Sequence, residues 1–399
     1  MSAFQVTRHR STWRWARAHK VFAALVVVVV LLTPVWWSLG SALTNPAVGM
    51  TVPGRLAEWF REHGGASIVV WAENTWYSHH SPPVGGKPAK GAIPLVKAPS
   101  NSSTVPAAKV PAHLPPPPPV VPMASPPIAG EGQWRPAGRT VGGVAPVYET
   151  YMRPDAVHTS VVVGVAWMDT KVLGATLYSG SVIPGGGPWQ NTAPVSPQAA
   201  STLVAAFNAG FLMPNANGGY YVQGKAVYPL RQGAASFVIY RDGTATVGQW
   251  GRDVSMTPDV ASVRQNLDLI VDGGQPVPGL NANDTTRWGF TLHGYVYVWR
   301  SGVGVTADGA LVYVGGPDLN ITDLADVLAR AGAVRAMELD INTDWVNFAA
   351  YAPASSTAPA TPANGADLLP NMAATPARYF EPWWSRDFIT MSARLGLGG

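Results

Sequence analysis

Cysteine is absent from all 399 residues, so disulfides and thiolate metal sites are excluded outright. Charge is sparse as well. The formal net of +4 sits largely ahead of residue 21. No basic stripe follows of the kind that tracks a phosphate backbone, and no nucleic-acid partner is expected. Internal repeats with a period of about 20 to 50 residues are missing, which argues against a solenoid or a propeller. No serine–histidine–aspartate triad or metalloprotease motif is present. The run Gly185 to Gly187 is no phosphate loop, because it lacks the lysine and helix that must follow. Acidic residues vanish altogether between Glu73 and Glu131.

What is there begins with charge asymmetry. Residues 1–20 carry Arg8, Arg10, Arg14, Arg17 and Lys20 with no acid, and read as a cytoplasmic basic tail. Residues 21–43 are almost wholly apolar, with Trp36 and Trp37 placed like an interfacial belt. A bilayer needs about 20 such residues, so a transmembrane helix is expected over 21–43. The positive flank would keep the amino terminus cytoplasmic and the carboxy-terminal domain extracytoplasmic. A cleaved signal peptide ending between Ser38 and Ala42 is the rival reading, and the anchor is preferred. Residues 44–80 form a juxtamembrane segment, with a short helix over Pro53 to His63 and a strand over Ser67 to Trp71. Residues 81–129 are crowded with proline, including the run Pro115 to Pro119. Such a segment cannot bury a core and is expected to be a semi-rigid polyproline spacer.

Residues 130–399 read as the globular domain. Ser160 to Trp167 and Val172 to Tyr178 suggest a strand pair joined at Asp169-Thr170. Ser196-Pro197 opens an expected helix that carries Ala199 to Ala206 into Phe207-Asn208-Ala209-Gly210-Phe211. Hairpins turn at Gln223-Gly224, Asp242-Gly243 and Asp308-Gly309. Asn320 or Thr322 can cap a helix in which Leu324, Val327, Leu328 and Ala331 share a face and Gly332 ends the run. Many short strands with few helices predict an α+β fold, an extended and mostly antiparallel sheet preceded by the one transmembrane helix.

The chemistry is expected in the strand that follows, Ala336 to Asn342. Strand side chains alternate between faces, so Met337, Leu339 and Ile341 point one way and Glu338, Asp340 and Asn342 the other. Carboxylates two residues apart lie roughly 7 Å apart, and at partial burial their repulsion raises the proton affinity of one of them. The plain alternative is a row of surface charge or of ion pairs with arginines.

Three stretches together resemble the phosphodiester glycosidase family. Phe207 to Phe211 is similar to its NAGFF-type motif. Arg300-Ser301-Gly302-Val303-Gly304 with Asp308-Gly309 looks like its RTAIG hairpin. Ala336 to Asn342 looks like its LDGGGS segment, except that Ile341 and Asn342 stand where the family has glycines. Glycines there would let a ligand approach the backbone, so Ile341 reshapes the expected pocket and Trp345 could supply a sugar-stacking face instead. The resemblance implies Asp340 and Glu338 as catalytic acids, with Asn208, Arg300, Asn342 and Trp345 binding substrate. Arg300 would present its fork of donors to a phosphate, or be used in an ion pair with Glu338 or Asp340. A partner acid from another segment is needed, and Glu149 and Asp155 are the candidates. His158 and His293 read as core histidines. No cofactor is implied, and a divalent cation stays open. Two functions follow as expectations. One is a membrane-anchored hydrolase of glycosyl phosphodiesters or related cell-envelope glycans, and the other a non-catalytic glycan-binding or envelope-organising protein of the same fold.

Overall fold

A computed structural model describes residues 26–27, 29–49, 51–65, 82–94, 112–284, 286–289 and 296–394. The basic tail, residues 21–25, the strand expected over Ser67 to Trp71, residues 95–111 and His293 lie outside the described residues. The chain divides into two compact units, Met1–Ala66 and Ser67–Gly399.

In the first unit, residues 29–44 are helical, and a second helix, α1, runs over Val52–Glu62 behind the N-cap Thr51. Among the described residues no helix is long and apolar enough to cross a membrane. The transmembrane helix expected over 21–43 is corrected accordingly. Among the described residues, 26–27 and 29–44 are helical, and the continuous stretch 29–44 rises about 24 Å at 1.5 Å per residue, against about 30 Å of bilayer hydrocarbon. Their second half carries Ser38, Gly40, Ser41 and Thr44. Ser38 is also committed to a polar contact, since its hydroxyl accepts from the Trp59 indole at 3.0 Å and meets His63 Nε2 at 3.2 Å.

Among the described residues, the second unit is built from three sheets whose ladders are antiparallel. The largest orders Arg135–Ala137 (β1), Val147–Met152 (β2), Val163–Met168 (β3), Leu311–Leu319 (β14), Val298–Thr306 (β13), Ala333–Glu338 (β15), Leu269–Asp272 (β11) and Gln275–Pro276 (β12). A five-stranded sheet orders Lys225–Tyr228 (β7), Tyr220–Val222 (β6), Val260–Gln265 (β10), Ala235–Tyr240 (β8) and Ala245–Gln249 (β9). The third orders Gly365–Asp367 (β17), Phe348–Tyr351 (β16), Leu203–Asn208 (β5), Phe388–Ala393 (β18) and Leu173–Tyr178 (β4). Mostly antiparallel sheet with few helices agrees with the α+β expectation.

Two elements differ from the sequence reading. The helix expected from Ser196 lasts only Pro197–Ala200 (α2), and the apolar run after it is the fully buried β5. A short apolar run fits a buried helix and a central strand equally, and tertiary placement decides between them. The expected pairing of Ser160–Trp167 with Val172–Tyr178 does not form. β3 pairs with β2 and β14, while β4 pairs with β18 in another sheet. Asp169 holds the crossover, its carboxylate accepting from Lys171 N and Leu114 N at 2.8 Å each.

The proline-rich segment is less detached than its composition implies. Pro118 O accepts from the Trp134 indole at 2.8 Å, Val120 N donates to Gly132 O at 2.9 Å, and Val120 and Ala124 are buried. Ala124 O and Pro126 O both accept from Arg153, which also holds Glu131 in an ion pair. Residues 112–129 are thus part of this folded unit rather than a free spacer.

The large sheet has two working faces. Against one packs the helix Ile321–Arg330 (α3), capped by Asn320, whose side chain accepts from Asp323 N. Leu324, Val327 and Leu328 meet Val165, Val312, Val314 and Ala336 there. Against the other face lie the two smaller sheets, with Phe207, Phe348, Phe237 and Met391 closing on Val303, Tyr313 and Met337.

Candidate active site around Asp340

The site forms where β15 ends. Leu339 N donates to Ser301 O, and Asp340 O accepts from Ser301 N, each at 2.8 Å. Two residues therefore oppose one, as in a β-bulge, and strict alternation stops at Glu338. The acid–acid–amide row expected on one face is corrected for this reason. Glu338 turns to Arg300, while Leu339 joins the core beneath the smaller sheets and Asp340 faces arginines from other segments.

Arg300 and Glu338 form a sealed ion pair at 2.5 Å with no exposure of either side chain. The rest of the guanidinium donates to Leu319 O, Trp288 O and Val296 O. Four of its five N–H donors are used, and with no exposure the guanidinium is not open to a phosphate. Burial pushes the Glu338 carboxyl up, and Arg300 pulls it back.

Asn208 is buried and saturated. Its amide donates to Ala209 O and Ser301 Oγ, and its oxygen accepts from Tyr313 Oη and Asn347 N. Ser301 in turn bonds both Asp340 N and Asp340 O. Asn208 therefore positions the Asp340 backbone through Ser301 rather than offering a ligand contact. Asn342 is half-buried, with its side-chain oxygen accepting from Asp344 N at 2.8 Å in a local turn. Trp345 is buried against Trp384, ring centroids 5.0 Å apart, and so presents no open stacking face.

Around Asp340 itself the surroundings are cationic. Its carboxyl accepts from Ile341 N at 2.7 Å. Burial raises its proton affinity, and Arg386, the Ile341 and Asn342 backbone N–H groups and Arg264 oppose that rise. Arg386 lies 4.5 Å over the Trp345 ring, which fixes its plane. Arg264 is held by Asp387 at 2.7 Å and by the carbonyls of Gln265 and Phe211. Residues that sequence reading missed complete the frame. Asn266 donates to the Glu338 and Leu339 carbonyls at 3.0 Å and accepts from Phe211 N, fixing the bulge. A Cβ on Gly210 would sit 2.8 Å from the Asn266 side-chain oxygen, which explains the glycine in Asn208-Ala209-Gly210-Phe211.

The two partner acids named from sequence are not brought here. Glu149 is buried beside Asp367, and Asp155 is spent on His158 and on the backbone N–H groups of Val157 and His158. His158 is accordingly a tethered ring against Tyr297. Among the described residues no group of three or more metal-ligating side chains occurs.

Residues 201–340 match the phosphodiester glycosidase family model. That stretch runs from the end of α2 to Asp340 and takes in Asn208, Arg264, Asn266, Arg300 and Glu338; it covers less than half of the chain. Trp345, Arg386 and Asp387 lie beyond it. No curated protein matches the chain by sequence. Three solved structures are similar at 15% identity each. The catalytic domain of zebrafish N-acetylglucosamine-1-phosphodiester alpha-N-acetylglucosaminidase, auto-inhibited by its pro-peptide, has a TM-score of 0.41 over 63% of this chain and 84% of that one. A protein from Synechocystis follows at 0.36, over 65% and 64%. An exported protein from Burkholderia pseudomallei follows at 0.33, over 59% and 75%. Likenesses this distant fix neither substrate nor mechanism.

Proposed function

We propose that this chain is a glycoside hydrolase that cleaves a sugar from a glycosyl phosphodiester or a related cell-envelope glycan. The observation that supports it most is Asp340. It is a buried acid with raised proton affinity, tethered by one oxygen to Ile341 N, with Arg386 and Arg264 facing it. Water adds to C1 of the sugar, and Asp340 takes its proton. The C1–O bond breaks, and the bonding pair leaves with the phosphate monoester. A leaving group that is already anionic is steadied by a guanidinium rather than by a general acid. Arg386 fills that role in place of Arg300. The need for a second catalytic carboxyl, usual for glycosidases acting on alcohol leaving groups, falls away. Glu338 then serves the frame.

The competing reading is a glycan-binding protein of the same fold. Two observations favour it: Ile341 and Asn342 stand at the family's glycine positions, and Glu338 is locked to Arg300.

Turnover of a panel of glycosyl phosphodiesters and aryl glycosides, wild type against Asp340→Asn, separates the readings, with melting temperature as control. The expected loss is roughly 10²–10⁴-fold with the fold intact. As a base with raised proton affinity, Asp340 should give a kcat/KM that climbs with pH through its elevated pKa, a limb absent from the variant. Full activity in a well-folded Asp340→Asn protein removes Asp340 from the mechanism. No turnover by the wild type on any panel member, alongside saturable glycan binding, favours the binding protein.

A further inference from the structure

A second cleft, of about 400 Å³, opens near the Asp308–Gly309 turn, at the other end of β13 from Arg300. Its volume lies in the range of small-molecule sites, about 300–1,000 Å³. Arg335 on β15 is five residues from Asp340, roughly 15 Å at strand rise, so the cleft does not belong to the site above. Val254 and Val305 line it with the partly exposed Tyr240, Thr244 and Thr246.

Several arginines elsewhere are consumed: Arg139 and Arg394 by carbonyls, Arg153, Arg264 and Arg300 by carboxylates and carbonyls together. Arg335 makes one hydrogen bond, from Nε to Val247 O at 2.9 Å. That bond fixes the guanidinium plane and leaves both terminal nitrogens without a hydrogen-bonded partner among the described residues. Lys171, on the exposed turn between β3 and β4, likewise has no carboxylate partner among them. The acids in the lining are already engaged. Asp253 takes both oxygens into Arg252 and the Gln249 N–H, and Asp308 accepts from Thr306. The charge of Arg335 also reaches Asp253 in the same lining, but its terminal N–H groups remain open to a ligand. Those donors, Lys171, the hydroxyls of Thr246 and Tyr240 and one aromatic ring match a hydroxyl-rich ring bearing an anionic group, with the guanidinium taking the anion by its fork.

We propose that this cleft is a binding site for an acidic sugar, one carrying a carboxylate or a phosphate, separate from Asp340. The test is a titration of the full chain at low salt with glucuronate oligosaccharides, glucose 6-phosphate, inorganic phosphate and neutral gluco-oligosaccharides, read by ligand-observed NMR. Wild type should bind at least one acidic sugar saturably and neutral oligomers far more weakly. The glucuronate and sugar-phosphate arms tell which acid is taken. Arg335→Ala should weaken binding about tenfold or more, the loss expected for one charge-assisted pair. Lys171→Glu, at an exposed position that cannot unsettle the core, should do the same, while Asp340→Asn should leave binding unchanged. The proposal is overturned if acidic and neutral sugars bind alike or not at all, if inorganic phosphate binds as tightly as either acidic sugar, if Lys171→Glu binds like wild type, or if Asp340→Asn abolishes binding.

Discussion

Arg300 meets four acceptors with no exposure to solvent, and Glu338 keeps one oxygen without a hydrogen-bond partner in the same buried space. A pair like this costs most when half of it is removed, because the survivor is left as an uncompensated buried charge. Arg300→Met should therefore destabilise the protein by roughly 3–5 kcal/mol, and Arg300→Met with Glu338→Leu should recover most of the loss. Denaturant unfolding of the two variants checks this. Were Arg300 a substrate ligand instead, the single variant would keep its stability and lose only binding. Asp340 contrasts with Glu338 through neighbours alone: the two acids sit two positions apart, yet Glu338 is locked in an ion pair with Arg300 while Asp340 is held by the Ile341 N–H and faces Arg386 and Arg264.

Between elements, the acids Glu149 on β2 and Asp367 on β17 have their own pH signature. Glu149 on β2 is pushed up to about 8 by burial and by the nearby charge of Asp367. Asp367 on β17 is itself pushed up to about 6 by burial, held back by the Asn347 amide and by Arg378. An unfolded glutamate titrates near about 4.3. Between that value and about 8, the folded state keeps a proton on Glu149 that the unfolded chain has lost. The stabilising contribution is therefore complete below the unfolded pKa and disappears as pH rises through the folded one. Unfolding free energy should fall by a few kcal/mol from pH 5 to pH 9. Glu149→Gln, which carries no titrating proton, should flatten that slope. Equilibrium unfolding at a series of pH values measures it, and an unchanged slope in the variant would reject the shift at Glu149. The hairpins at Gln223-Gly224, Asp242-Gly243 and Asp308-Gly309 were readable because turn residues state their backbone needs locally. β5 was not, since an all-apolar run carries no period.

For the whole molecule, the packing of residues 112–129 moves the start of the folded unit ahead of Gly130. A fragment beginning at residue 130 loses the burial of Val120, two carbonyl partners of Arg153 and the bond to Trp134. At about 1.5 kcal/mol for the side chain and about 1 kcal/mol for a hydrogen bond, that should cost roughly 3 kcal/mol or more. A fragment beginning at residue 112 should melt several degrees higher than one beginning at 130. Equal melting temperatures would return the boundary to Gly130.

The sequence by itself determined the features whose physics is local. It marked the turns, the start of α3 at Asn320 or Thr322 and its end at Gly332, the absence of cysteine chemistry, and the stretch in which Asp340 lies. Only the tertiary structure decided which acid is available, because a carboxyl's proton affinity depends on burial and on charges delivered by distant segments. Arg264 and Asp387 are 123 residues apart, and Arg300 and Glu338 are 38. The bulge opposite Ser301 is equally invisible in the chain: it arises from a neighbouring strand and from Asn266, and it turns Asp340 away from the face that alternation assigns.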